Sequence, residues 1–277
     1  MSIMDSGFVD TRLGRLHVDV VGEGPPLVLW HSMFVDSTSW NRLVPLLKGA
    51  HRLHLIDAPS CGRSDPLREA TDISACADAA IEVLEHVRGS SGQDGVDWLG
   101  NAWGGHVGIE VAARRPDLIR SLVAVSAPTH PIDRPLRRKV RMLVPLYRLI
   151  GPRGPVRSAI EETIFTDRTR AHDPEAVEVL RGALDRAGRT ATIRAIETAI
   201  LNRVDLLSAA LEVTCPALFV TTDDRGEWTP EQARAVAAEM IDARESTVSG
   251  ARVIPALEQP ESTFLALGEF WAGLDRR

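Results

Sequence analysis

Residues 8–21 alternate apolar and polar side chains around Leu13-Gly14, the pattern of an opening β-hairpin. Short apolar runs follow at 27–30, 52–56, 96–99, 122–125 and 218–220, separated by stretches with helical spacing. Strands of that kind, alternating with helices, predict an α/β fold: a mostly parallel central sheet with helices on both faces. Between residues 129 and 214 the strand signal disappears. Four helical patterns replace it, at 134–149, 155–165, 174–187 and 190–207, with Asp173-Pro174 and Thr190 as start signals. The chain thus divides into a core of residues 1–130 and 211–277 and an inserted helical cap, 131–210. Open α/β sheets bind ligands beyond the carboxyl ends of their strands, so the cap is expected there.

Composition narrows the function classes. The 277 residues carry a net charge of −6, which gives no reason to expect nucleic acid. No apolar run approaches the ~20 residues of a membrane span, and residues 1–15 lack a basic-then-apolar signal pattern. Cys61, Cys76 and Cys215 are odd in number and lack C-x-x-C spacing, so neither a disulfide framework nor a metal site is expected. No cofactor is implied, and a cytoplasmic protein is the default. Arg134, Arg137, Arg138, Lys139, Arg141 and Arg148 form the sharpest charge feature. They either attract an anionic substrate or membrane surface, or form the solvated face of a cap helix that turns Val140, Leu143, Val144 and Tyr147 inward. The second reading is adopted, with no membrane partner.

The chemistry concentrates at Gly100-Asn101-Ala102-Trp103-Gly104-Gly105, between an apolar strand and a helical segment. That is the strand–turn–helix setting of a nucleophile elbow, G-x-S-x-G, with alanine where the nucleophile stands. The segment resembles the α/β-hydrolase superfamily, and other motifs follow in that family's order. His31-Ser32-Met33 with Trp40 is similar to the oxyanion loop, and Asp57 to Ser64 to the D-x-P-G-x-G-x-S turn. Arg115-Pro116-Asp117, Pro216 to Val220 and Ala256 to Glu261 match later landmarks. The family histidine, five residues before Glu258, would fall on Val253, and no histidine occurs after His172.

The resemblance implies a Ser-His-acid site that here lacks nucleophile and base. Asp224 stands where the acid could lie; otherwise it is a turn carboxylate. In relatives with the acid one strand earlier, the position falls near Ser126. Backbone amides of Trp103 and Met33 correspond to the oxyanion donors. Ala102-Trp103-Gly104 also looks like the Asp-Trp-Gly elbow of haloalkane dehalogenases and epoxide hydrolases, with their nucleophile removed. Candidate acid–base groups are His31, His130 and Asp224. His31 is alternatively a packed side chain, and His106 is read as packing against the sheet. Cys61 is read as an apolar filler. Ser32, Met33, Ala102, Trp103, Trp228 and Val253 are expected to contact a small-molecule substrate, with Trp40 in the core.

Three functions fit: an enzyme using non-covalent acid–base or oxyanion chemistry (cyclisation, elimination, isomerisation or water addition) on a small apolar carbonyl compound; a non-catalytic ligand-binding relative; or an ordinary hydrolase inactivated at Ala102. The oligomeric state stays open.

Overall fold

A computed structural model describes residues 5–92 and 95–274; the first four and last three residues of the expected core lie outside that range. Eight strands form one sheet: β1 (Asp5–Thr11), β2 (Gly14–Val21), β3 (Pro26–Trp30), β4 (Arg52–Ile56), β5 (Val96–Asn101), β6 (Ile119–Val125), β7 (Ala217–Thr222) and β8 (Ala243–Val248). Their order is β1-β2-β4-β3-β5-β6-β7-β8. The opening hairpin forms as expected, with Thr11 opposite Gly14, and β2 pairs antiparallel with β4. Every other pairing is parallel.

Twelve α-helices and a 3-10 helix (Ser37–Trp40) accompany the sheet among the described residues: α1 (Val44–Leu47), α2 (Ile73–Ser91), α3 (Trp103–Arg114), α4 (Arg134–Ile150), α5 (Pro155–Ile164), α6 (Asp167–His172), α7 (Pro174–Arg186), α8 (Arg189–Ile196), α9 (Leu207–Glu212), α10 (Pro230–Glu239), α11 (Pro255–Glu258) and α12 (Pro260–Leu274). α8 runs on through a π-turn, Glu197–Leu201.

Period-two alternation splits the sheet's side chains between two cores. From β3, Val28 and Trp30 face one cluster, which includes Val83, Val107 and Ile109 of α2 and α3. Leu27 and Leu29 face the other, with Val44 and Leu47 of α1 and Phe270 and Trp271 of α12. All five β3 residues are buried, as a strand covered on both faces requires. β8 (ARESTV) escaped the sequence reading because an edge strand needs no apolar run. α2 begins at Asp72, whose carboxylate accepts the Ala75 N–H at 2.9 Å, and ends at left-handed Gly92.

Polar ties fix the helices of residues 134–201 to the loops and short helices around the sheet. Arg42 grips Asp173 with both terminal nitrogens at 2.6 and 2.7 Å, and Arg186 reaches buried Asp36 at 2.7 Å. Glu258 accepts from the Thr166 N–H, the Thr169 hydroxyl and the Arg252 N–H at 2.7–2.8 Å. Thr198 Oγ1 accepts the Thr71 N–H at 2.9 Å.

Two buried histidines predict a pH dependence. Burial lowers His54 to a pKa of about 4, helped by Arg52, and lowers His106 to about 3, helped by Arg203. The unfolded chain, with histidines near 6.5, therefore binds protons first as the pH falls. Their contribution is full above pH ~6.5 and drains away toward the folded values, about 2–3 kcal/mol per histidine by pH 4.5. Urea unfolding should show stability falling steeply between pH 6.5 and 4.5, and His54→Gln should flatten the slope. Equal slopes in parent and variant would contradict this assignment.

Candidate active site

The elbow is built by close backbone approach. A Cβ on Gly100 would lie 2.1 Å from the Gly104 carbonyl oxygen, and one on Gly104 would lie 2.1 Å from that of Trp30. Only glycine lets β5 turn so sharply into α3. Trp98 Nε1 donates to Gly104 O at 3.0 Å and locks the turn from below. Between the glycines Ala102 adopts φ 46°, ψ −101°. A left-handed backbone costs a non-glycine residue roughly 1–3 kcal/mol, and the fold holds it here with only a methyl group to present.

Ala102 lies in the wall of a cavity of about 390 Å³. All six residues nominated as substrate contacts line it: Ser32, Met33, Ala102, Trp103, Trp228 and Val253. Leu136, Val140 and Leu143 of α4, Ile160 and Ile164 of α5, and Ile200 of the π-turn close the opposite side. The interior is thus mainly apolar. Trp228 packs edge-on against Phe219 with ring centroids 4.7 Å apart. Trp40 is buried with Leu43 in the second core.

Val253 is tied to the elbow. Asn101 Nδ2 donates to the carbonyls of Val253 at 2.8 Å and Val125 at 3.2 Å, while the Val253 N–H donates to Ile164 O. The position that the family motif gives to histidine is thus beside the elbow. The Trp103 amide heads α3, where no intrahelical acceptor exists. The Met33 amide has no hydrogen-bond acceptor among the described residues either. The Trp98 indole nitrogen is engaged as above, and that of Trp103 is buried with no hydrogen-bond partner among the described residues.

The three nominated acid–base groups are placed elsewhere. His31 is fully buried, with Nδ1 donating to Ser32 O at 2.7 Å and Nε2 accepting the Ala58 N–H at 2.9 Å. Burial lowers its pKa against the pull of Asp57. Both nitrogens hold the loop in shape, and neither faces the cavity. His130 is absent from the cavity wall; its Nδ1 pairs with Pro131 O at 3.1 Å. Asp224 is absent from it too, its Oδ2 accepting from Arg252 Nη2 at 3.0 Å. Cys61 is buried, and desolvation raises its thiol well above the ordinary range.

In their place the wall carries Ser126, His106, Arg203, Glu227 and Arg252. Ser126 follows β6 with φ 49°, and its hydroxyl is buried without a partner. His106 donates from Nε2 to Pro128 O at 3.1 Å, leaving Nδ1 unpartnered. Glu227 holds the buried Arg203 guanidinium through both carboxylate oxygens. Arg203 comes from the turn after the π-helix and Glu227 from the loop after β7, so no local spacing connects them. The sequence reads His106 as packing against the sheet; four residues and one helical turn after Ala102, it stands in the cavity wall instead.

Residues 27–267 match the model of the alpha/beta hydrolase family. A pimeloyl-[acyl-carrier protein] methyl ester esterase of Shewanella sp. is 33% identical over 113 residues, which span 41% of this chain and 39% of that protein. The corresponding esterase of Xanthomonas campestris pv. campestris is 26% identical over 269 residues, 94% of this chain and 100% of that one. The solved structure of a thermophilic esterase from Thermogutta terrifontis superposes with a TM-score of 0.86 at 21% identity, covering 97% and 98% of the two chains. Elbow, sheet order and family match agree: the chain belongs to the alpha/beta hydrolase family.

Proposed function

We propose that the protein is an enzyme that transforms a small, largely apolar carbonyl compound without forming a covalent intermediate, in a cavity between a core of residues 1–130 and 211–277 and a cap of residues 131–210. The observation that carries this reading is the strained backbone of Ala102. An elbow without a nucleophile still orients the Trp103 amide, and with Met33 it offers two donors to one carbonyl oxygen. Such donors stabilise developing negative charge best where water is excluded. Ala102 and Val253 together leave no nucleophile and no base for acyl transfer, which sets the chain apart from a Ser-His-acid hydrolase. The relatives are named for a methyl ester, a carbonyl compound of the proposed class, but their esterase chemistry does not transfer with alanine at position 102.

Proton movement falls to Glu227, the carboxylate in the cavity wall, with Arg203 positioning it. His106, with its pKa lowered to about 3, stays neutral, and its unpartnered Nδ1 is an acceptor for a donor on the ligand. Glu227→Gln should lower kcat by roughly 10²-fold or more while changing ligand affinity only a few-fold, the signature of a general acid or base. A second reading, a non-catalytic binding protein, is favoured by one observation: Glu227 is already engaged at both oxygens by Arg203. Under it, Glu227→Gln changes affinity alone.

A further inference from the structure

Helix α4 carries six cations and no carboxylate within its seventeen residues, on a chain whose net charge is −6. Its inward face is as the spacing predicts: Val140, Val144 and Tyr147 are buried. The outward face is not simply polar. Met142 is 68% exposed, Leu146 39% and Leu149 74%. With Pro135 and Lys139 they fall at intervals of three and four residues, one stripe along the helix. Arg134, Arg138, Arg141 and Arg148 form a second stripe beside it, at intervals of four, three and seven residues. Among the described residues, none of these four arginines or Lys139 has a carboxylate within 4.0 Å. The nearest acid along the chain, Asp133, accepts the Leu136 N–H as the helix cap.

Arg134, Arg138, Lys139 and Met142 also line a shallow surface hollow, a place where three cations converge beside an apolar side chain. Lys139, Met142 and Leu146 belong in addition to the wall of the main cavity, so the stripe runs to its mouth.

Against the solvated-face reading of the sequence, we propose that α4 is a membrane-surface helix that seats this protein on anionic lipid. Met142, Leu146 and Leu149 enter the acyl boundary, while the arginine stripe and the hollow take lipid phosphates. The charge fits: an interfacial helix has a cationic face next to an exposed apolar one, and each is satisfied only at a negatively charged apolar boundary. An acidic protein would answer the arginines. A single convex helix, however, offers it no groove, and Met142, Leu146 and Leu149 would stay in water. This seat turns the cavity mouth toward the lipid, and it stands independently of whatever chemistry the cavity performs. No helix among the described residues is long and apolar enough to cross a membrane, so the attachment is peripheral.

The test is co-flotation of the full chain with phosphatidylcholine vesicles, with and without phosphatidylglycerol. Binding should be at least ~10-fold stronger with the anionic lipid and should collapse in high salt, since surface charges are screened. Arg138→Glu with Arg141→Glu should abolish it, and Leu149→Ser should weaken it several-fold; these three side chains lie outside the cavity wall. Circular dichroism of the variants checks that they fold. Failure to bind anionic vesicles at low salt overturns the proposal. So does binding that survives the charge reversal, or binding in which charge matters and Leu149→Ser has no effect, the behaviour of a site for an acidic protein.

Discussion

Ala102→Ser combined with Val253→His is expected to raise p-nitrophenyl acetate hydrolysis by about ten- to a hundred-fold, while either change alone leaves it at the parent's background. The geometry supports the pair. Both residues line one cavity, and Asn101 ties the Val253 carbonyl to the elbow at 2.8 Å. A serine at 102 inherits the exposed elbow position, but without an imidazole its hydroxyl stays protonated and weakly nucleophilic. A histidine at 253 has no proton to take from a methyl group. Members of such a site act as a unit, so single repairs contribute little. The gain falls short of a full hydrolase because no carboxylate orients the new imidazole. Asp224 faces Arg252, so adding Asp224→Asn should leave the recovered activity unchanged. Adding Ser126→Asp should raise it, because aspartate tolerates the left-handed backbone there and the buried hydroxyl it replaces has no partner. Burst kinetics on all five variants would check this. Rescue by Ala102→Ser alone, or its loss on Asp224→Asn, would contradict the placement of base or acid.

Gly104→Ala should destabilise the protein by ~3 kcal/mol or more, enough to unfold a large fraction of it, whereas Gly89→Ala in α2 should stabilise by ~0.5–1 kcal/mol. The contrast isolates space from helix propensity. At Gly104 the added carbon would sit 2.1 Å from the Trp30 carbonyl oxygen and 2.8 Å from its indole. Trp30 belongs to a fully buried strand near the middle of the sheet, so neither backbone can retreat. At Gly89 nothing lies within 4 Å. Denaturant unfolding of both variants measures the two effects, and a loss below 1 kcal/mol at Gly104 would contradict the packing of the elbow.

Those glycines also explain why the fold was readable. A strand turning directly into a helix needs small residues at fixed offsets, so its sterics are written locally at Gly100 and Gly104. Buried parallel strands likewise announce themselves as apolar runs. β8 does not, because an edge strand can satisfy polar side chains in solvent or on neighbouring polar groups, as Glu245 does by accepting from the Thr221 and Thr247 hydroxyls. The cavity wall was legible where it coincides with the elbow, the Ser32–Met33 loop and the Val253 segment. Its polar part was not. Ser126, Arg203 and Glu227 lie on three separate segments, and only the fold joins them. His31, His130 and Asp224 sit beside strand ends, which is why they attracted attention, yet Ser32 O and the Ala58 amide claim both nitrogens of His31, Arg252 claims Asp224, and His130, whose Nε2 has no partner, lies off the cavity wall. The exposed stripe on α4 was hidden for a related reason: helical spacing says which residues share a face, but not whether a neighbour covers it.

The central claim is that the cavity changes its ligand chemically while the protein stays covalently unmodified. The direct measurement is to recover a ligand from cell extract on the purified protein, identify it, and incubate it with fresh protein while following both by chromatography and intact-mass spectrometry. The account predicts conversion of a small apolar carbonyl compound to a new species, with the protein mass constant throughout. A ligand returned unaltered after long incubation, or a protein carrying an acyl adduct, would contradict it.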